Sequence, residues 1–78
     1  MYLAIKDVKP NIDYTLFLTF ENGEKRRFDM KPYLNTGIFK ELKDLSKFST
    51  VRVSFDSIEW DNEADLDPEF LYQYSEKL

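Results

Sequence analysis

Four carboxylates stand at alternate positions near the end of the chain, Asp61, Glu63, Asp65 and Asp67, just after the only tryptophan, Trp60. Such a run could hold a hard cation, because calcium takes its oxygen ligands from short acidic loops. The helix–loop–helix calcium pattern also requires Gly at its sixth position and Glu at its twelfth. Counted from Asp61, those positions are Leu66 and Tyr72, so the pattern fails. Asp67 has a competing use: Asp67-Pro68-Glu69 reads as a helix cap, a first-turn proline and an acid at the positive end. Paired carboxylates can also hydrolyse glycosides, but one of them needs a raised pKa inside a cleft. A chain of 78 residues has little room for one. Asp29 and Asp44 are expected to bind backbone at turns. The sequence has no His and no Cys, which removes the usual near-neutral acid/base, thiolate metal ligands and disulfides. Ser54 and Ser57 therefore have no imidazole to activate them, and two glycines make no phosphate loop. The residues point to a non-enzymatic chain without a cofactor.

A second constellation is cationic. Lys25, Arg26, Arg27 and Lys31 follow one another closely, with Phe17 one strand earlier. A basic run beside an exposed aromatic could meet a phosphate backbone and stack a base. The overall charge opposes that reading. Residues 1–52 carry ten Lys/Arg and seven Asp/Glu, or +3, whereas residues 53–78 carry one Lys and eight Asp/Glu, or −7, for a total of −4. Phosphate affinity needs clustered cations, so nucleic acid stays the alternative partner and a protein the leading one.

At 42% hydrophobic and 17% aromatic residues the chain is too apolar to be disordered, despite 33% charged residues. Its length fits one domain over residues 1–78. So small a core leaves little margin over the entropy of ordering the chain, which makes a homodimer or a bound partner a natural addition. No apolar run approaches the ~20 residues of a membrane span. The start, Met1-Tyr2-Leu3-Ala4-Ile5-Lys6-Asp7, lacks a basic region followed by a long apolar stretch. A cytoplasmic protein without a membrane partner is expected.

The elements that must position these groups follow from periodicity. An extended stretch over 3–8 ends at Lys9-Pro10-Asn11. Residues 13–30 hold two β-rich runs around Glu21-Asn22-Gly23-Glu24, a hairpin signal. A two-residue Asn-Gly loop would pair Leu16 with Asp29. A three-residue loop, with Gly23 in a left-handed bulge, pairs Leu16 with Phe28 and Tyr14 with Met30. Only the latter gathers Tyr14, Leu16, Leu18, Phe20, Phe28 and Met30 on one face, and a one-residue slip would turn them all over. Phe17 then faces outward, opposite Arg27. Pro32 suits a first helical turn after Lys31. Ile38, Phe39, Leu42 and Leu45 recur at helical spacing, so a short middle helix covers about 38–45, with Phe48 in the core behind it. Val51, Val53 and Phe55 alternate, Asp56-Ser57 turns the chain, and the return run pairs Phe55 with Ile58, Val53 with Trp60 and Arg52 with Asp61. The last helix starts after Asp67, and Phe70, Leu71 and Tyr74 give it an apolar side. The sum is an α+β fold: an antiparallel sheet of four to five strands built from two hairpins, a short middle helix and a C-terminal helix.

These motifs resemble the small bacterial domain known as domain-of-unknown-function family 2442. The likeness lies in Leu16-Phe17-Leu18, Thr19-Phe20-Glu21-Asn22-Gly23-Glu24, Arg27-Phe28-Asp29 and Phe39-Lys40-Glu41-Leu42-Lys43-Asp44. It continues through Phe48, Val51-Arg52-Val53, Ile58-Glu59-Trp60, Asp65-Leu66-Asp67-Pro68 and Leu71-Tyr72, in the family's order. The resemblance implies an α+β domain without known catalysis. Members stand alone or precede a helix-turn-helix domain, and this chain resembles the stand-alone type. Some lie beside genes suspected of toxin–antitoxin pairing, which implies an antitoxin-like partner of a small basic protein. The family supplies no catalytic residues.

The residues expected to make contact are Phe17, Lys25 and Arg27 on the hairpin, Asp61, Glu63 and Asp65 in the acidic run, and Tyr72 and Tyr74 on the last helix. A small ligand-binding module is the further alternative.

Overall fold

The computed structural model describes residues 3–78; Met1 and Tyr2, part of the N-terminal reading above, lie outside the described residues. The α+β class and the antiparallel pairing hold, and the strands divide between two sheets. The larger has the order β1-β2-β3-β7, formed by β1 (Ile5–Pro10), β2 (Thr15–Phe20), β3 (Lys25–Asp29) and β7 (Glu76–Lys77). The smaller has the order β4-β5-β6, formed by β4 (Arg52–Ser54), β5 (Ser57–Glu59) and β6 (Asp65–Leu66).

The β2–β3 hairpin takes the bulged turn that its apolar residues demand. Leu16 pairs with Phe28 and Phe17 with Arg27, and the Met30 N–H donates to the Tyr14 carbonyl at 3.0 Å. Gly23 sits at φ +85°, where a side chain would be strained. The Gly23 N–H donates to the Phe20 carbonyl, closing the three-residue loop. Asn22 accepts the Glu24 N–H through its Oδ1 at 2.9 Å. One strand more joins on the other side: the stretch expected over 3–8 is shifted to Ile5–Pro10 as β1, running through Lys9 and Pro10 because both pair along β2, Lys9 opposite Phe17 and Pro10 opposite Leu16, beside Val8 opposite Leu18.

The middle helix differs from its expected form. Lys31–Tyr33 makes a short 3-10 turn, Gly37–Lys43 a second, and α1 covers only Leu45–Phe48. Asp44 causes the break. Its backbone is extended, and its side chain caps α1 by accepting the Ser46 N–H at 3.0 Å. Leu42 and Phe48 are buried, while Ile38 and Leu45 stay exposed. Helix α2 runs over Pro68–Tyr74, with Asp67 accepting the Glu69 N–H at 2.8 Å and Pro68 in the first turn. Of its apolar side, Leu71 is buried, Phe70 half-buried and Tyr74 exposed.

The β4–β5 hairpin requires a correction. Its pairs are Val53 with Ile58 and Ser54 with Ser57, so the turn is Phe55-Asp56 rather than Asp56-Ser57. Phe55 is 98% exposed at the tip rather than inward, and Val53, opposite the buried Ile58 but on an edge strand, stays exposed as well. Two tertiary contacts choose this register. The Ile5 N–H donates to the Asp56 carbonyl at 2.8 Å, fixing the turn against β1. On the far side β6 pairs Leu66 with Ile58, making β5 a central strand. Trp60 is inward as expected, and its Nε1–H donates to the Phe48 carbonyl at 2.9 Å.

One core joins both sheets. Leu16, Leu18, Phe20, Phe28 and Met30 from the inner face of the larger sheet cluster with Leu42, Phe48, Ile58, Trp60 and Leu71. Among the described residues no helix is long and apolar enough to cross a membrane.

Candidate functional site

Because strands alternate their side chains between faces, burying one side of the larger sheet exposes the other. Its outer face is ordered in rows across the strands. One row runs Lys9, Phe17, Arg27, Glu76, and the next runs Asp7, Thr19, Lys25. The Leu78 N–H donates to the Lys25 carbonyl and extends that second row. Phe17 lies on an inner strand of the sheet and is 44% exposed, so its ring stands out of a polar surface. Hollows flank it. One of about 610 Å³ opens between Pro10, Ile12, Phe17 and Arg27; a smaller one of about 180 Å³ lies between Lys9, Phe17, Lys25 and Leu78. A third, of about 390 Å³, lies between Arg27, Asp29, Lys31 and Tyr74.

The cations of this region divide by face. Arg27 donates to Glu76 at 2.7 Å, and Lys31 pairs with Asp29 at 3.2 Å. Lys9 and Lys25 have no carboxylate within pairing distance among the described residues. Arg26 points to the inner side. Its guanidinium lies 4.2 Å from the centre of the Tyr72 ring, and its Nε donates to Ser75 Oγ at 2.9 Å. Lys77 reaches Glu24 at 3.4 Å. These contacts clasp the end of the chain to β3. The Tyr72 hydroxyl, outweighing the cost of desolvation, and then the Lys77 and Arg26 charges hold the Glu24 carboxyl below its ordinary value; the same contact with Glu24 raises the Tyr72 phenol. Glu24 Oε2 is buried 3.7 Å from Arg26 Nη1 without a hydrogen bond of regular geometry.

Phe17, Lys25, Arg27 and Tyr74 are thus brought to one surface. Tyr72 is not: it is half-buried, edge-on to Phe20 and under Arg26, because α2 lays it across the inner side of β3. Asp61 and Glu63 lie in the turn between β5 and β6 and Asp65 opens β6, and they diverge. Asp61 accepts from Arg52 at 2.7 Å, although Arg52 is paired along the strand with Glu59 instead. Glu63 occupies a turn at φ 70°, and Asp65 pairs with Glu59 across β5 and β6. Asp67 is spent on its cap. Among the described residues no three His, Cys, Asp or Glu side chains converge on a point where a metal ion could sit. Lys9, Glu76 and Leu78 belong to the outer face and were missed. Strand parity could have found Lys9. A two-residue strand such as β7 leaves no periodic signal.

The hairpin, the buried Trp60 and the capped α2 are the motifs on which the family likeness rests. The family described as Protein of unknown function (DUF2442) matches residues 5–77. The chain belongs to this family. No curated protein and no solved structure matches it. The family match therefore covers all four strands that carry the outer face.

Proposed function

We infer that this protein is a non-enzymatic interaction domain that binds a protein partner through the outer face of its larger sheet. The observation that carries this reading is Phe17, a large ring held in the open between the Lys9 and Arg27 strands. Exposed aromatic and Arg side chains beside hollows are the usual anchors of protein interfaces. The lack of His and Cys supports a role without catalysis. A small basic partner, antitoxin-like in its pairing, draws support from the net −7 of residues 53–78, which would speed its approach. The nucleic-acid alternative has less support, since Arg26 faces inward and Arg27 and Lys31 each hold a carboxylate.

The test is capture from the native host with the unaltered chain and with Phe17→Ser. A partner retained by the first and lost by the second is expected. Equal capture by both, or binding to oligonucleotides that weakens steeply with salt, would sink the reading.

A further inference from the structure

Among the described residues the two most exposed large apolar side chains are Phe55, at 98%, and Ile12, at 86%. They stand at opposite ends of β1. Ile12 tips the β1–β2 turn, where the Asn11 N–H donates to the Thr15 carbonyl and the Tyr14 N–H to the Asn11 carbonyl. Phe55 tips the β4–β5 turn, which the bond from Ile5 to Asp56 fixes beside the first residue of β1. Phe55 also holds φ 48°, a region bulky side chains avoid, without gaining any burial. Between the two tips β1 is an edge strand. Since Asn11 directs its N–H to β2, alternation aims Lys9 and Asp7 the same way and leaves the Val8 N–H and carbonyl pointing off the edge.

We propose that the protein forms a two-fold dimer in which β1 pairs antiparallel with β1 of a second copy, centred on Val8. The two Val8 residues exchange their backbone hydrogen bonds. Asp7 of each copy faces Lys9 of the other, so the edge is complementary to itself in charge. Moving one pair in either direction would set Asp7 against Asp7 or Lys9 against Lys9, which fixes the register. Regular pairing stops after Asp7, because a bulge interrupts β1 between Ile5 and Asp7; Pro10 of the other copy, next along the edge, has no N–H to leave unpaired there. Beyond it the edge of each copy is taken by its own β4–β5 turn, because the Ile5 N–H is bonded to Asp56, so the pairing ends there and the Phe55 tip of each copy abuts the Ile12 tip of the other. The strained ring and the bare isoleucine then cover one another at both ends of the interface, as an isologous contact requires. The two larger sheets become continuous, and their outer faces join. Phe17 takes no part, so the dimer stands independently of the partner-binding reading.

Sedimentation equilibrium tests this. The unaltered chain should show about twice its 9.4 kDa mass. Asp7→Lys sets Lys against Lys9 at both symmetric positions and should weaken association about tenfold or more. The double change Asp7→Lys with Lys9→Asp should restore it. Phe55→Ser and Ile12→Ser should each weaken it, and Phe17→Ser should not. A chain that sediments as a monomer throughout would overturn the proposal. So would a double variant as weak as Asp7→Lys alone, a Phe55→Ser chain as tight as the unaltered one, or a Phe17→Ser chain that no longer associates. All these side chains are on the surface, and circular dichroism confirms that each variant is folded.

Discussion

Two hairpins reverse the chain in different ways. Between β2 and β3 the left-handed position belongs to Gly23, at φ +85°, with nothing within 4 Å of where a Cβ would lie. Between β4 and β5 it falls to Phe55 and Asp56, at φ 48° and 72°. The first turn is chosen by its own residues. The second is imposed from outside, by the Ile5–Asp56 bond, by β6 on the far edge and by the buried seat of Trp60. A turn that costs nothing locally can be set by local chemistry; a strained turn must be held by contacts made elsewhere.

If that contrast is right, removing the external support should do the most damage. Trp60→Ala empties a fully buried site beneath β4 and β5 and frees the Phe48 carbonyl from its donor. It should cost about 3–5 kcal/mol, read as a shift in the urea midpoint. A loss under about 1 kcal/mol, the scale of an ordinary surface change, would show that the second hairpin does not depend on the core. The turn positions should respond with opposite signs. Gly23→Ala forces a Cβ into the left-handed region and should destabilise by about 1–2 kcal/mol. Phe55→Asn, measured at concentrations too low for association, should stabilise by up to about 1 kcal/mol because Asn tolerates that region. In a domain of this size each 1 kcal/mol moves the melting temperature by about 4–8 °C. Equal signs at the two positions would abolish the comparison.

The smallest effect concerns the clasp on the larger sheet. The Glu24 carboxyl lies below its ordinary 4.5, first because of the Tyr72 hydroxyl and then through Lys77 and Arg26. A lowered carboxyl contributes stability that is complete above its unfolded value and is lost as pH falls through its folded one. Unfolding midpoints should therefore drop on acidification below about pH 4.5, and Glu24→Gln should flatten the upper part of that fall. Asp13, lowered chiefly by the Thr15 hydroxyl, and Asp44, lowered chiefly by Ser46, extend it below their ordinary 3.8. At the other extreme, Tyr72 is raised by Glu24. Its contribution is complete below its ordinary 10.0 and is lost as pH rises through the higher folded value. An acid profile unchanged by Glu24→Gln would mean that the clasp adds nothing to the native state.

Much of the candidate site was legible in advance. The outward position of Phe17 opposite Arg27 followed from burying Leu16, Leu18 and Phe28 on one side of a paired ribbon. Tyr72 was misread as free because nothing near it in the chain announces that Arg26 will lie on its ring. Alternation puts Phe55 on the face of Val51 and opposite Ile58, yet it stands exposed, because alternation is blind to where a strand stops.

Period-2 patterning, the Asn22-Gly23 pair and the Asp67-Pro68 cap act over a few residues, where few backbone conformations satisfy the local hydrogen bonds and the apolar face together. By these the chain alone determined the first hairpin, the start of the last helix and the inward turn of Trp60. Only the assembled structure decided the second hairpin's register, the tail strand β7 and the exposure of Phe55 and Ile12 at the two ends of β1. Those features rest on bonds between residues as far apart as Ile5 and Asp56, or Arg27 and Glu76, and no short window of sequence contains both partners.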